Sequence, residues 1–273
     1  MYGTPPHIRQ DHYDIPAPKA YLDGSGDGRF EVFEALASLT DILGPYLEQL
    51  YSIPTPQNDE GRTSHSLHLD AWTDTLPGPV RKIIIRGTNL EIPGAANLRL
   101  CFLAARFFSR RLALSTEVGR TTPAGQAPDE RLLDVRRTVE EIVLFVNELT
   151  ETQLGDFWLP TTAFVLSSAV TFLVRLAVQA EIPASGPPHS LSLSLAREML
   201  ATLRSYKEDH GWELGDICLA QYEDALDKLP EQQDSANMDS NGLESAVPFI
   251  PDPALLESII ADQWDSLLWG QMT

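Results

Sequence analysis

Cysteine is nearly missing from this chain of 273 residues, which holds only Cys101 and Cys218. Two cysteines cannot build a disulfide framework and fall short of a cysteine-based zinc site, so a reducing compartment is expected. Cations are scarce as well. Lys and Arg number 20 against 39 Asp and Glu, a formal net charge of −19. Phosphate repels so acidic a surface, and direct nucleic-acid binding by this polypeptide is not expected. Long apolar runs are absent. The stretch 163–174 is interrupted by Arg175 after twelve residues, against about 20 for a membrane-crossing helix, so no membrane partner is expected. The opening MYGTPPHIRQDHYD lacks the basic flank and apolar stretch of a secretory signal. Nowhere do apolar residues alternate with a period of two for long enough to make a sheet.

What is present is an ordinary supply of core-forming residues. Apolar side chains make up 43% and charged ones 22%, which excludes wholesale disorder. The negative charge is concentrated towards the C-terminus. The first 207 residues carry 19 basic and 24 acidic side chains, and the last 66 carry 1 and 15.

Periods of three and four recur along most of the chain. Residues 1–29, rich in Pro, Gly, His and Asp, have no such period and are expected to be extended or disordered. From Phe30, the positions Phe33, Leu36, Leu39 (or Thr40), Leu43, Leu47 and Leu50 mark one face of a helix that Gly44-Pro45 should kink or break. Residues 67–76 form a short helix stopped by Leu76-Pro77-Gly78. Residues 95–115 follow, with Leu100, Leu103, Phe107 and Leu114 on one face and Arg106, Arg110 and Arg111 outside it. Leu132, Val135, Val139, Ile142, Val146 and Leu149 give the clearest helical stripe. Residues 163–180 are apolar on nearly every face, which predicts the helix buried at the centre. Two amphipathic helices, near 190–207 and 212–229, flank a tight turn at Asp209-His210-Gly211. The expected fold is all-α: a domain of about seven helices over 30–230, then a flexible acidic tail over 231–273.

Motifs for chemistry are few. There is no GxSxG elbow, HExxH, P-loop or Rossmann fingerprint, and no nucleophile–base pair or metal triad, so no enzymatic activity is expected. Asp23, Ser25, Asp27, Gly28 and Glu34 match positions 1, 3, 5, 6 and 12 of a calcium-binding loop. Pro16 and Pro18, however, stand where its incoming helix should be, and no second loop exists to pair with it. The plainer reading is a Gly/Asp loop leading into the helix at Phe30, with Glu31 and Glu34 at its positive end. His65, His68 and Asp70 could approach a metal, but solvated polar residues at a helix start account for them as well. Arg106, Arg110, Arg111 and Arg120, interleaved with Phe107 and Phe108, form one basic stretch. With so many carboxylates available, a plain helix surface or ion pairing is expected of it rather than a nucleic-acid face. Both cysteines lie in apolar patterns and read as unreactive core thiols.

Residues 231–273 hold eight acidic and no basic side chains. Within them Leu255, Leu256, Ile259, Ile260, Trp264, Leu267, Leu268 and Trp269 recur at steps of three and four. Acidic–apolar mixtures of this kind fold as helices in a partner's groove. Leu256, Ile260, Trp264, Leu267, Leu268 and Trp269 are therefore the expected partner-binding residues. A terminal helix docked on its own domain is the alternative.

The order of the segments LTDILGPYLEQLYSI (39–53), HLDAWTDTLPGPVRKI (68–83), PGAANLRLCFLAARFFSRRLAL (93–114), FWLPTTAFVLSSAVTFLVRLAV (157–178) and YKEDHGWELGDICLAQYEDALDKL (206–229) resembles the regulatory region of fungal zinc binuclear-cluster transcription factors. This is the fungal-specific transcription factor domain, or middle homology region. The resemblance implies an all-helical regulatory domain without catalytic residues or a cofactor of its own, a nuclear location, and transcription machinery or co-regulators as partners. It leaves a homodimer open. In such proteins DNA is read by an N-terminal six-cysteine cluster holding two zinc ions, and activation commonly lies near the C-terminus. This chain lacks that cluster, so DNA recognition would need one supplied from outside it. The expected function is the regulatory and activating portion of a factor controlling RNA polymerase II transcription. The alternative is a partner-binding helical adaptor without DNA binding, calcium-responsive if the Asp23 loop takes the ion.

Overall fold

The computed structural model describes residues 28–51, 65–117, 128–177 and 190–227. Among the described residues there are nine α-helices, one 3-10 turn and no strand, so the protein is all-α. The chain divides into two compact units, Met1–Leu159 and Pro160–Thr273, and the expected helical region 30–230 contains helices of both.

The first unit holds α1 (Arg29–Tyr51), α2 (His65–Thr75), α3 (Gly78–Arg86), α4 (Ala95–Glu117), α5 (Pro128–Asn147) and the single turn α6 (Glu151–Leu154). Helix α4 is its centre and packs against α1, α2, α3 and α5. Its sequence explains that position. Leu98, Leu100, Leu103 and Phe107 are fully buried, and Ala95, Ala96, Ala104 and Ala105, equally buried, let neighbouring helices approach closely. Helix α5 contributes Val135, Val139, Ile142 and Val146 of the expected stripe, and Val143 beside them.

Helix α1 departs from expectation twice. Its buried face is Val32, Ala35, Leu36, Leu39, Tyr46 and Leu50, while Phe33 is 53% exposed and lies against Phe30 at 6.4 Å. Two stripes of period three and four interleave here, and the one containing Tyr46 is the one that meets α4. The helix also continues through Pro45. Proline deprives the carbonyl of Asp41 of its helical partner, but Asp41, Gly44 and Pro45 all face solvent, where water can take that role.

The Leu76-Pro77-Gly78 stop both ends α2 and begins α3, a helix the sequence reading does not include. Proline is favourable in a first helical turn, where its missing N–H would have had no partner. Val80, Ile83 and Ile84 are buried, and Gly87 closes α3 in the left-handed region (φ 64°), its N–H donating to the Ile83 carbonyl. Arg81 reaches back from α3, its Nη2 donating to the carbonyls of Asp74 and Leu76 at the end of α2. Trp72 of α2 donates to Ser38 Oγ of α1 (2.9 Å) and stacks on Phe102 of α4.

Asp156, just after α6, ties the end of this unit to its middle. One carboxylate oxygen accepts from the Gly94 N–H ahead of α4 (2.5 Å), and the other from the Phe157 N–H (2.7 Å). Asp156→Ala should therefore cost about 1.5–3 kcal/mol, the range for hydrogen bonds to a charged group. Asp156→Asn, which keeps one acceptor oxygen of the two, should recover part of it. Urea midpoints of the two variants check this, and equal losses would contradict it.

The second unit comprises α7 (Thr161–Leu176), α8 (Leu191–His210), the turn Glu213–Gly215 and α9 (Asp216–Asp227). Helix α7 is its buried centre, as its all-round apolar sequence predicts, and packs against α8, α9 and the turn. Ser190 caps α8 by accepting from the Leu193 N–H (3.1 Å). The helix runs on through Asp209 and His210, so the expected turn narrows to Gly211. A Cβ on Gly215 would stand 3.0 Å from the Cβ of buried Leu203, so a side chain there would have to push Leu203 aside. Side-chain hydrogen bonds join α7 to α9, with the Thr171 and Tyr222 hydroxyls 2.6 Å apart and Ser167 donating to Gln221 Oε1. Across α8 and α9, Arg204 pairs with Glu223 (2.6 Å) and Lys207 with Asp216 (2.9 Å).

Candidate functional site

Two cations of the basic stretch of α4, Arg106 and Arg110, are engaged by α5. Arg106 makes a two-pronged pair with Glu141, Nη1 to Oε2 at 2.7 Å and Nη2 to Oε1 at 3.4 Å, and its guanidinium lies over the Phe102 ring. One turn on, Arg110 donates to the Asp134 carbonyl (2.8 Å) and to Thr138 Oγ1. Burial lowers the Arg110 pKa, and nearby Arg106 lowers it further; Asp134 and Glu141 act in the opposite sense. Arg111 is buried, its guanidinium 5.3 Å from the centre of the Phe107 ring. Arg106 makes the ion pair that the surplus of carboxylates leads one to expect, whereas Arg110 is held by a carbonyl and a hydroxyl and Arg111 lies against a ring. Arg111 is a correction in detail, for it lies inside the unit rather than outside the apolar stripe. Arg120 falls outside the described residues.

Three cations behave differently. The side chains of Lys82, Arg86 and Arg99 make no hydrogen bond, ion pair or ring contact among the described residues. All three belong to one neighbourhood. Lys82 and Arg86 are one turn apart on the outer face of α3, opposite Val80, Ile83 and Ile84, and Ile85 beside them is 52% exposed. Arg99 comes up from α4 so that its Nε lies 3.9 Å from where a Cβ on Gly87, the residue after Arg86, would be. Burial is the main cause lowering the Arg99 pKa; Glu141 opposes it and Arg106 adds to it. The sequence signal for this place was available in GPVRKIIIR, whose cations and third isoleucine fall opposite its buried stripe. It goes unread there because α3 itself does.

Cys101 and Cys218 are buried, and burial pushes both thiols up to about 12. They stay protonated near neutral pH and are poor nucleophiles. Cys101 Sγ donates to Asn97 Oδ1 at 3.6 Å.

The other candidates from the sequence divide as follows. Asp23, Ser25 and Asp27 lie outside the described residues; Glu34 is exposed on α1, which begins at Arg29, the seventh position of the calcium-loop pattern. His68 and Asp70 are exposed, and no group of three metal-ligating side chains converges among the described residues. Leu256, Ile260, Trp264, Leu267, Leu268 and Trp269 lie outside the described residues, as does the whole of 231–273. No helix among the described residues is long and apolar enough to cross a membrane. No family model, curated protein or solved structure matches the chain.

Proposed function

We propose that this chain is the regulatory and activating portion of a nuclear transcription factor of the fungal zinc binuclear-cluster kind, acting on RNA polymerase II transcription. The observation that carries the reading is the segment 231–273, with eight carboxylates, no cation, and bulky apolar residues at helical spacing. Carboxylates keep such residues from collapsing, and the residues supply anchoring area in a partner's groove. Its partners are then transcription machinery or co-regulator proteins. The chain acts without catalysis and without a cofactor of its own. DNA recognition belongs to a six-cysteine zinc cluster, which these 273 residues do not contain. The all-helical fold agrees with a regulatory domain of this kind.

The test is a reporter driven by the full chain tethered to an unrelated DNA-binding module. Activation well above the module alone is expected. Anchoring residues each contribute about 1–2 kcal/mol or more. Replacing Trp264, Leu268 and Trp269 together by Ala should therefore weaken partner binding at least about 100-fold and return the reporter to the level of the module. Undiminished activity in the triple variant would remove the tail from the mechanism. No activation by the parent would remove the activating role.

A further inference from the structure

We infer that the outward face of α3, formed by Lys82, Ile85 and Arg86 with Arg99 beside it, is a docking surface for an acidic peptide segment with aliphatic or aromatic anchors. The surface is defined by what its residues leave undone. In a chain with almost two carboxylates for each cation, most of the described Lys and Arg side chains are engaged by a hydrogen bond, an ion pair or a ring, and Lys82, Arg86 and Arg99 are not. These three gather at one helix end. The negative C-terminal end of α3 accounts for a cation such as Arg86 in its last turn. It does not account for Arg99, whose Nε and Nη1 are shielded from solvent yet have no hydrogen-bond acceptor. Nor does it account for Ile85, left 52% exposed between Lys82 and Arg86.

An exposed aliphatic side chain sharing a helix face with two unpaired cations is complementary to carboxylates flanking an apolar anchor. A nucleic acid fits less well. It would leave Ile85 without a partner, and its phosphates would meet a chain of net charge −19. The chain contains a sequence of the required chemistry in residues 251–269, PDPALLESIIADQWDSLLW, with four carboxylates and no cation. That sequence serves as the probe. The surface is read from α3 and α4 alone and does not depend on the transcriptional reading.

The experiment is fluorescence anisotropy of a labelled synthetic 251–269 peptide, titrated with the full chain and with its Trp264→Ala/Leu268→Ala/Trp269→Ala variant, in which any competition from the chain's own segment is weakened. Saturable binding to at least one of them is expected, weakening as salt is raised. Lys82→Glu/Arg86→Glu should reduce affinity at least about 10-fold, and Ile85→Ser about 10-fold, by removing the charges and the apolar contact respectively. All three positions are exposed or on the surface of α3, so circular dichroism of these variants should match the parent. No binding to either protein up to about 1 mM, or binding unchanged in the charge-reversed variant, overturns the proposal. So does equal binding of polyglutamate, of the peptide with its carboxylates replaced by amides, or of heparin as a polyanion.

Discussion

Replacing Phe107 by Ala is expected to destabilise the first unit by about 3–5 kcal/mol, the range for emptying a buried aromatic site. Phe107 is fully buried in α4, the helix that α1, α2, α3 and α5 all pack against. A cavity there is bounded by whole helices, which can close over it only by moving together. The ring also does more than fill space. The Arg111 guanidinium lies over its face, and Phe108 touches it with ring centres 5.3 Å apart. Arg111 is itself buried, so the truncation leaves a charged group without the π face that helps it tolerate burial. Phe157→Ala supplies the contrast. That ring is 62% exposed, and its loss should stay within about 0.5 kcal/mol. Urea unfolding followed by circular dichroism measures both. Similar midpoints for the two variants would mean that α4 is not the centre of this unit.

The same residues show why part of the fold was legible and part was not. Helices α5 and α7 to α9 were readable because each carries a single stripe, or none but apolar residues, between strong breakers. Periodicity then has one answer. Helix α1 carries two interleaved stripes, and only contact with α4 selects Val32 and Tyr46 over Phe33. Helix α3 is nine residues long with breakers on both sides, and proline marks a helix start as readily as an end. Charge pairing is less legible still. Arg106 meets Glu141 from 35 positions away, and Arg81 turns towards carbonyls of the preceding helix. Which cations are engaged, and so which remain at Lys82, Arg86 and Arg99, is settled by packing and is not written in any local pattern. The acidic segment is the opposite case, since its chemistry is plain in composition alone.

Raising the pH from 9 to 12 is expected to destabilise both units, each through one buried thiol. Cys101 belongs to the first unit and Cys218 to the second. Folding raises each from an ordinary 9.0 to about 12, burial being the cause. Between those values the unfolded chain has lost the thiol proton while the folded unit retains it. Folding therefore takes up a proton, and stability falls as pH rises. The contribution is fully present below pH 9 and is lost as the pH passes through 12. Three pKa units correspond to about 4 kcal/mol per thiol, comparable to the whole stability of a small domain. Tyr46, raised chiefly by burial, and Lys207, raised chiefly by its hydrogen bond to Asp216, act in the same direction at higher pH. Cys101→Ala and Cys218→Ala separate the thiols from these groups. Each variant is somewhat less stable than the parent at pH 8, but loses less stability between pH 8 and 10.5, by about 2 kcal/mol. Urea unfolding at the two pH values measures the difference. Parallel losses in parent and variants would mean that the thiols ionise in the folded protein as they do in water, and that the cores around Cys101 and Cys218 admit solvent.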